Sequence, residues 1–232
     1  IITPQHTISL AEIIKQNILR HGFNVEIIIG EPLHYHLDMY IILCANVIKN
    51  LPPGEKRIIY QLEQLNNKRW FTEDYINKLN SSFHVLEYSE INLKELAIAG
   101  IKFPHVSHLP VSSISKIDNK NEYSMKKFDI LFYGDSLSSP RRRKMLDALR
   151  TKFSLLELND CFGDELYNHI RSSKLVINLH YYENALLETP RIVECLSLGT
   201  TVVSEDSRDM GLYPEFNGAV SFFPTGNIEL MI

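Results

Sequence analysis

Two charged side chains that could bind a ligand, Arg191 and Glu194, lie three residues apart in "LETPRIVECLSLGTTVVSE", residues 187–205. An arginine can bind an anion through two parallel hydrogen bonds, and a glutamate accepts hydrogen bonds. Residues three apart on a helix share a face, so the two side chains either form a surface ion pair or meet a common ligand. A third charge, Glu188, precedes them.

The flanking residues predict a helix over 190–198. Thr189 suits its N-cap, Pro190 its first position, and Gly199 the residue just past its end. The strand before it ends near His180, which is either a further ligand-binding side chain or a satisfied buried histidine.

A second candidate site lies in "FYGDSLSSPRRR", residues 132–143. Gly134 would let the backbone approach a ligand, Ser136 adds a small polar group, and Arg141 and Arg142 open a helix. This arrangement suits a diphosphate, although an ordinary turn before a solvated basic helix has the same pattern. Neither of the common phosphate-binding glycine motifs, G-x-x-x-x-G-K-[ST] and G-x-G-x-x-G, occurs.

Candidates for a catalytic base are found in the first half: His6 after the first strand, Glu63 in "YQLEQL" and Glu87 in "LEYSE". For each of the three, a structural role is favoured over proton transfer. The chain has no H-E-x-x-H or C-x-x-C motif, so we predict no metal site.

These candidates require strands and helices in alternation, and the chain provides them twice, on either side of a polar, aperiodic stretch. We predict an α/β fold with two Rossmann-like domains, 1–112 and 127–232, joined by a linker at 113–126 and facing each other across a cleft. The chain begins without Met on strand-like residues, so we expect elements to be missing at one or both ends.

Composition restricts the partners. The net charge of −4 and the pI near 6.2 disfavour binding to nucleic acid, and no apolar run is long enough to span a membrane. Three widely spaced cysteines in apolar sequence predict reduced thiols rather than disulfides. We therefore expect a cytoplasmic protein.

The motifs "RIVECLSLGTTVVSE" and "FYGDSLSSPRRR" resemble the donor-binding half of GT-B-fold glycosyltransferases of group 1, in particular the spore-maturation-protein-like group. The resemblance covers about residues 127–210, and the first half is similar mainly in layout. It implies that Glu194 accepts hydrogen bonds from the ribose of a nucleotide sugar, and that Arg191, with an arginine of the 141–143 run, faces the diphosphate. Many retaining members have a glutamate eight residues before the second one, where this chain has Leu186.

The resemblance implies a metal-independent, hexosyltransferase-like enzyme that uses a nucleotide-diphosphate sugar as co-substrate and no other cofactor. It would transfer the sugar to the hydroxyl of a glycan or other small acceptor. Two other functions remain open. One is a non-catalytic nucleotide- or carbohydrate-binding module of the same fold, and the other is a DNA-modifying glycosyltransferase, which the negative charge disfavours.

Overall fold

The chain forms two compact units, Ile1–Val111 and Ser112–Ile232. The computed structural model describes residues 1–67, 69–112 and 125–231. Each unit has a parallel sheet together with helices, so the α/β prediction is confirmed at this level. Residues 113–124 of the predicted linker lie outside the described residues, and the linker stays a prediction.

The first unit contains a six-stranded sheet. Its strands are β1 (Ile2–Thr3), β2 (Ile28–Ile29), β3 (Tyr40–Leu43), β4 (Arg57–Gln61), β5 (His84–Glu87) and β6 (Val106–His108). Its helices are α1 (Ile8–Arg20), α2 (Glu73–Asn80) and α3 (Glu90–Ile98). The strand order is β2-β1-β3-β4-β5-β6 with all neighbours parallel, so the order reverses between β1 and β3.

The second unit contains a five-stranded sheet. Its strands are β7 (Phe128–Tyr133), β8 (Leu155–Leu158), β9 (Ser173–Asn178), β10 (Thr201–Glu205) and β11 (Val220–Phe223). Its helices are α4 (Pro140–Arg150), α5 (Gly163–Arg171) and α6 (Thr189–Ser197). The order is β11-β10-β9-β7-β8, again fully parallel, and it reverses between β7 and β9.

Buried apolar residues on the strands and on the inner faces of the helices form the cores. Phe132 on β7 and Ile177 on β9 are fully buried in one cluster with Leu146 and Leu149 of α4. The spacing of these two leucines puts them on one face of the helix, which buries it against the sheet. The cores therefore fix where the strand ends lie.

One predicted strand is longer than the observed one, and one observed strand was not predicted. The pattern predicts one buried strand over 39–48, but β3 stops at Leu43 because Cys44 has a φ of 54° and turns the chain. Strand β11 is not among the predicted elements, although "AVSFF" has the apolar content of a strand, and it extends the second sheet beside β10.

Several helices begin at residues whose side chains cap them, and Thr72 does so as predicted. The Thr72 hydroxyl accepts a hydrogen bond from the Tyr75 amide at 3.2 Å, and Ser139 accepts one from the Arg142 amide at 3.3 Å. Among the helices in the described ranges, none is long and apolar enough to cross a membrane.

Candidate functional site

The candidate site in the second unit lies where the strand order reverses, at the carboxyl ends of β7 and β9. Open parallel sheets bind ligands at this position because the loops leaving the two strands diverge there. Gly134 follows β7 with a φ of 119°, a conformation that side-chain-bearing residues rarely adopt, and Asn178 ends β9.

Arg191 reaches this point from the first turn of α6. Its Nη1 donates to the Asn178 side-chain oxygen at 2.8 Å and lies 2.9 Å from a Glu188 carboxylate oxygen. The guanidinium carbon is 5.0 Å from the centre of the Tyr133 ring, within the range of a cation–π contact. A Cβ at Gly134 would meet Nη2 at 3.0 Å, so the absent side chain gives the guanidinium its space.

One edge of this guanidinium is not used by the fold. The Arg191 Nε is buried and has no hydrogen-bond partner within the described residues, and its Nη2 donates no hydrogen bond there either. These two nitrogens form the side-on fork that binds two oxygens of one phosphate or carboxylate. Burial acts to lower the pKa of Arg191, but the charge of Glu188 outweighs it and raises that pKa above its ordinary value.

Glu194 lies one turn along the same helix and is half-buried. One of its carboxylate oxygens accepts a hydrogen bond from the Tyr133 hydroxyl at 2.7 Å. Burial, reinforced by Cys195 and Glu194, raises the pKa of Tyr133 well above its ordinary value, so the hydroxyl stays a donor. A carboxylate offers about four lone-pair positions and can accept hydrogen bonds from more than one donor.

The start of α6 differs from the prediction. Thr189 is the predicted N-cap, but the cap is Glu188, whose side chain makes no capping bond, and Thr189 is the first helical residue. The first amides are not available to a ligand: the Thr189 amide donates to the Leu187 carbonyl at 2.8 Å, and the Arg191 amide donates to the Glu188 carbonyl at 3.1 Å. Any anion held here is therefore held by side chains.

A surface ion pair between Arg191 and Glu194, one of the two alternatives, is not observed among the described residues. The ion-pair partner of Arg191 is Glu188, which Arg142 contacts at 2.9 Å through its other carboxylate oxygen. Burial acts to raise the pKa of Glu188, but Arg191 and then Arg142 outweigh it and hold that pKa below its ordinary value. Glu188 is therefore the ionised link between α4 and α6.

Arg142 was predicted to face a diphosphate, and instead the residue is only 4% exposed and holds the loops together. Its guanidinium donates to the Leu179 carbonyl at 2.9 Å and to the Asp135 carbonyl at 3.1 Å, in addition to Glu188. Burial lowers its pKa from the ordinary arginine value. All three of its nitrogens have protein partners, so it is a structural residue.

Arg141 has the same outcome. Both of its terminal nitrogens bond to the fully buried Glu205, and one of them also donates to the His180 carbonyl at 2.9 Å. Glu205 further accepts from the amides of His180 and Gly226, each at 2.7 Å. The imidazole of His180 is buried, with Nε2 3.0 Å from the Asp206 carbonyl and Nδ1 without a partner in the described chain.

Ser136 is buried after β7 and serves the fold as well. Its amide lies 3.1 Å from the Asn159 side-chain oxygen, and its hydroxyl donates to Glu157. These bonds tie the loop after β7 to the loop after β8. Of the predicted residues after β7, Gly134 lies next to the Nη2 of Arg191.

In the first unit, the corresponding reversal between β1 and β3 collects His6 and Cys44. The His6 Nε2 lies 3.5 Å from the Cys44 sulfur, and the Thr7 hydroxyl lies 3.9 Å from the same sulfur. Burial, helped by the charge of Glu63, raises the pKa of the Cys44 thiol to about 12, so it is protonated at neutral pH. Burial lowers the pKa of His6, which favours the neutral imidazole.

Glu63 belongs to the same edge of the sheet. Burial raises its pKa to about 7 against the opposing effect of a hydrogen bond from the Asn46 amide at 3.0 Å. The Asn46 side-chain oxygen is itself buried without a partner among the described residues. Glu63 is thus a carboxyl group that changes charge near neutral pH.

Glu87 is not in an accessible position. It is fully buried and accepts hydrogen bonds from the Ser89 amide at 3.0 Å, the Gln61 side chain at 2.8 Å and the Asn92 side chain at 2.9 Å. Burial raises its pKa to about 7 despite these bonds. The geometry thus gives Glu87 a role in fixing β4, β5 and α3 together.

One group in the described part of the chain has the composition of a metal site. Ligand atoms of Cys161, Glu165 and His169 all lie within 4.8 Å of one another, on α5 and in the loop before it. The motifs that predicted no metal do not include this C-x3-E-x3-H spacing.

Sequence reasoning missed three residues of the candidate site: Tyr133, Asn178 and Glu188 as the partner of Arg191. Tyr133 and Asn178 are the last residues of their strands, and this position was the available clue. Comparisons with known proteins add no assignment, since no protein-family model matches the chain and no curated protein matches it significantly.

Proposed function

We propose that the protein is a glycosyltransferase that transfers a sugar from a nucleotide-diphosphate sugar to an acceptor hydroxyl, without a metal. One observation carries the proposal: Arg191, at the carboxyl ends of β7 and β9, has an unused side-on fork next to Gly134. The Nε and Nη2 of Arg191 could donate two parallel hydrogen bonds to paired oxygens of an anion, and a diphosphate offers such oxygens.

Glu194 supports the nucleotide part of the ligand. It follows Arg191 on the same helix, and a carboxylate that accepts two hydroxyl hydrogen bonds suits the vicinal diol of a ribose. In this proposal Arg191 holds the diphosphate and stabilises its charge as it leaves, while Glu194 sets the position of the nucleoside.

In this proposal a side chain of the first unit supplies the base that activates the acceptor. Glu63 is the better base of the three predicted, because a pKa of about 7 matches proton transfer at neutral pH. His6, with its lowered pKa, is the second candidate. Glu87 has no catalytic role in this proposal, because three hydrogen-bond donors surround its carboxylate.

The test is titration calorimetry of the full chain with a panel of nucleoside diphosphates. Arg191→Lys keeps the charge beside Glu188 and removes the fork, and it should lower diphosphate affinity by about 10- to 100-fold, the range of a charged hydrogen-bonded contact. Arg20→Lys is the matched control, since it is the same chemical change at an exposed arginine of α1 in the first unit.

Donor hydrolysis then separates the enzyme from a binding module. We expect slow release of nucleoside diphosphate from the matching sugar donor, reduced in Glu63→Gln while donor affinity is unchanged. Tight nucleotide binding with no release in any acceptor mixture would favour the non-catalytic module. Equal diphosphate affinity in wild type and Arg191→Lys would refute the assigned site.

A further inference from the structure

We propose that Cys161, Glu165 and His169 form a binding site for a single transition-metal ion of the zinc class. The site lies beyond the carboxyl end of β8 and on α5, and neither the proposed glycosyl transfer nor its donor site uses these residues. Its test requires no nucleotide, so its outcome is independent of the proposed function.

The positions of the three side chains follow from the local structure. Glu165 and His169 are four apart on α5, so their side chains project from the same face of consecutive turns. Cys161 lies in the loop that enters the helix, held by a 3.0 Å bond from its amide to the Asn159 carbonyl. One thiol, one carboxylate and one imidazole are therefore brought to a common point.

The separations fit a metal ion after small side-chain rotations. The ligand atoms lie within 4.8 Å of one another. In a tetrahedral zinc site, bonds of about 2.0–2.3 Å place neighbouring ligand atoms about 3.5 Å apart. Glu165 is exposed and can rotate toward the ion, whereas the more buried Cys161 and His169 provide the fixed side.

The fold does not use these ligand atoms for its own bonds. Within the described residues, the Cys161 thiol, the Glu165 carboxylate and the His169 ring make no hydrogen bond or ion pair. Three groups that commonly ligate metal ions therefore lie at one point without being committed to the fold. Burial, with the charge of Glu165, raises the pKa of the Cys161 thiol, a cost that a bound cation would remove.

The donor set selects the kind of ion. A thiolate and an imidazole favour zinc and its neighbours over magnesium or calcium, which prefer oxygen ligands alone. The thiolate and the carboxylate together neutralise a divalent charge. Three protein ligands leave a fourth position for water or another ligand.

The experiment is a titration of the untagged, demetallated full chain with Co²⁺ and then Zn²⁺. We expect one Co²⁺ per chain, a thiolate-to-cobalt charge-transfer band in the near ultraviolet, and displacement of the cobalt by Zn²⁺ with loss of the band. Cys161→Ser should abolish the band. Glu165→Gln and His169→Gln should each weaken Zn²⁺ binding by at least about 10-fold, since even the groups that only orient metal ligands contribute about 10- to 100-fold.

Asp164→Asn is the matched control, because Asp164 is an exposed acid on the same helix turn that does not belong to the cluster. Its Zn²⁺ affinity should stay within about twofold of wild type. Glu165→Gln changes an exposed side chain, so it keeps the test decisive even if Cys161→Ser folds poorly. Absence of the cobalt band in wild type, or Zn²⁺ affinity that is the same in Glu165→Gln, His169→Gln and wild type, would overturn the proposal.

Discussion

In both sheets the strand order reverses between the first strand and its neighbour, and acidic side chains lie near the carboxyl ends of the strands. The acids of the two sheets differ in whether their neighbours are neutral amides or arginines. At the first edge, Glu63 and Glu87 receive hydrogen bonds from amide side chains, and burial raises the pKa of each to about 7. At the second edge, Glu188 and Glu205 are paired with arginines. The strand order therefore fixes the edge at which these acids lie, and the neighbouring side chains determine whether their pKa values are raised or lowered.

The difference separates two kinds of chemistry. A carboxyl group that titrates near neutral pH can accept a proton, and the first edge has one with a partly open setting in Glu63. The second edge has three arginines, of which Arg141 and Arg142 are used by the fold and Arg191 keeps an unused edge. Proton transfer and anion binding are thus expected at different sheets.

The largest effect that tests this comparison is on stability. Glu205→Gln removes the charge that Arg141 pairs with inside the second unit, and breaking a buried pair from one side should cost about 3–5 kcal/mol of unfolding free energy. Glu87→Gln changes a carboxyl whose pKa of about 7 already allows the neutral form, and it should cost only about 1–3 kcal/mol through misdirected hydrogen bonds.

Denaturant unfolding at pH 7 measures both changes. Circular dichroism follows the whole chain, and the single tryptophan, Trp70, reports on the first unit. Equal costs for the two substitutions would mean that the acids at both edges are held in the same way. The losses of unfolding free energy in Glu205→Gln and Glu87→Gln can be compared whether the two units unfold in one transition or in two.

The second effect is the pH dependence of the first unit. Glu63 has a folded pKa of about 7, above its ordinary 4.5, so its stabilising contribution is complete below pH 4.5 and is lost as the pH rises through 7. The loss should reach up to about 3 kcal/mol, because each pKa unit corresponds to about 1.36 kcal/mol. Trp70 fluorescence during unfolding at pH 5 and pH 8 measures it.

Glu63→Gln is neutral at every pH and is the control. His6 titrates with a lowered pKa, which gives stability the opposite slope, so only the difference between wild type and Glu63→Gln isolates the carboxyl. We expect the variant to gain stability relative to wild type as the pH rises from 5 to 8. A constant difference between the two would mean that Glu63 is ionised throughout.

Much of this arrangement follows from sequence pattern. Alternating strand and helix periods predicted the two parallel sheets, whereas the roles that the resemblance implies for Arg191 and Glu194 stay predictions. The roles of Arg141 and Arg142 could not be predicted, because their partners, Glu205 and Glu188, are 64 and 46 residues away in the chain. Local spacing reports on helix faces and caps, and pairing over such separations depends on how the sheet is assembled.

The third effect concerns which edge binds the donor. If Glu194 accepts hydrogen bonds from the ribose, Glu194→Gln should weaken nucleoside diphosphate binding by about 1–3 kcal/mol, because the amide loses the charge and one accepting oxygen. Glu63→Gln, the same chemical change at the first edge, should leave this affinity unchanged. Titration calorimetry with a nucleoside and its diphosphate measures both affinities. A larger loss of affinity in Glu63→Gln than in Glu194→Gln would place nucleotide binding at the first sheet instead of the second.

The smallest effect tests the space that Gly134 gives to Arg191. Gly134→Ala introduces a Cβ 3.0 Å from the Arg191 Nη2 and strains a backbone with a φ of 119°. Gly199→Ala is the control, since Gly199 also has a positive φ, of 72°, but nothing lies within 4 Å of the position that its Cβ would take. We expect both to destabilise, with Gly134→Ala costing about 1 kcal/mol more.

A double-mutant cycle separates the contact from the strain. In an Arg191→Lys background the side chain lacks Nη2, so the part of the Gly134→Ala cost that comes from the contact should disappear while the φ strain remains. Denaturant unfolding of the four proteins gives the coupling free energy, expected at about 0.5–1 kcal/mol for residues in contact. A coupling free energy of zero would mean that the position of the Arg191 guanidinium does not depend on the absence of a side chain at Gly134. Gly134 would then be required only for the backbone conformation of the turn after β7. Its lack of a side chain would no longer explain how the Arg191 guanidinium is positioned beside the backbone.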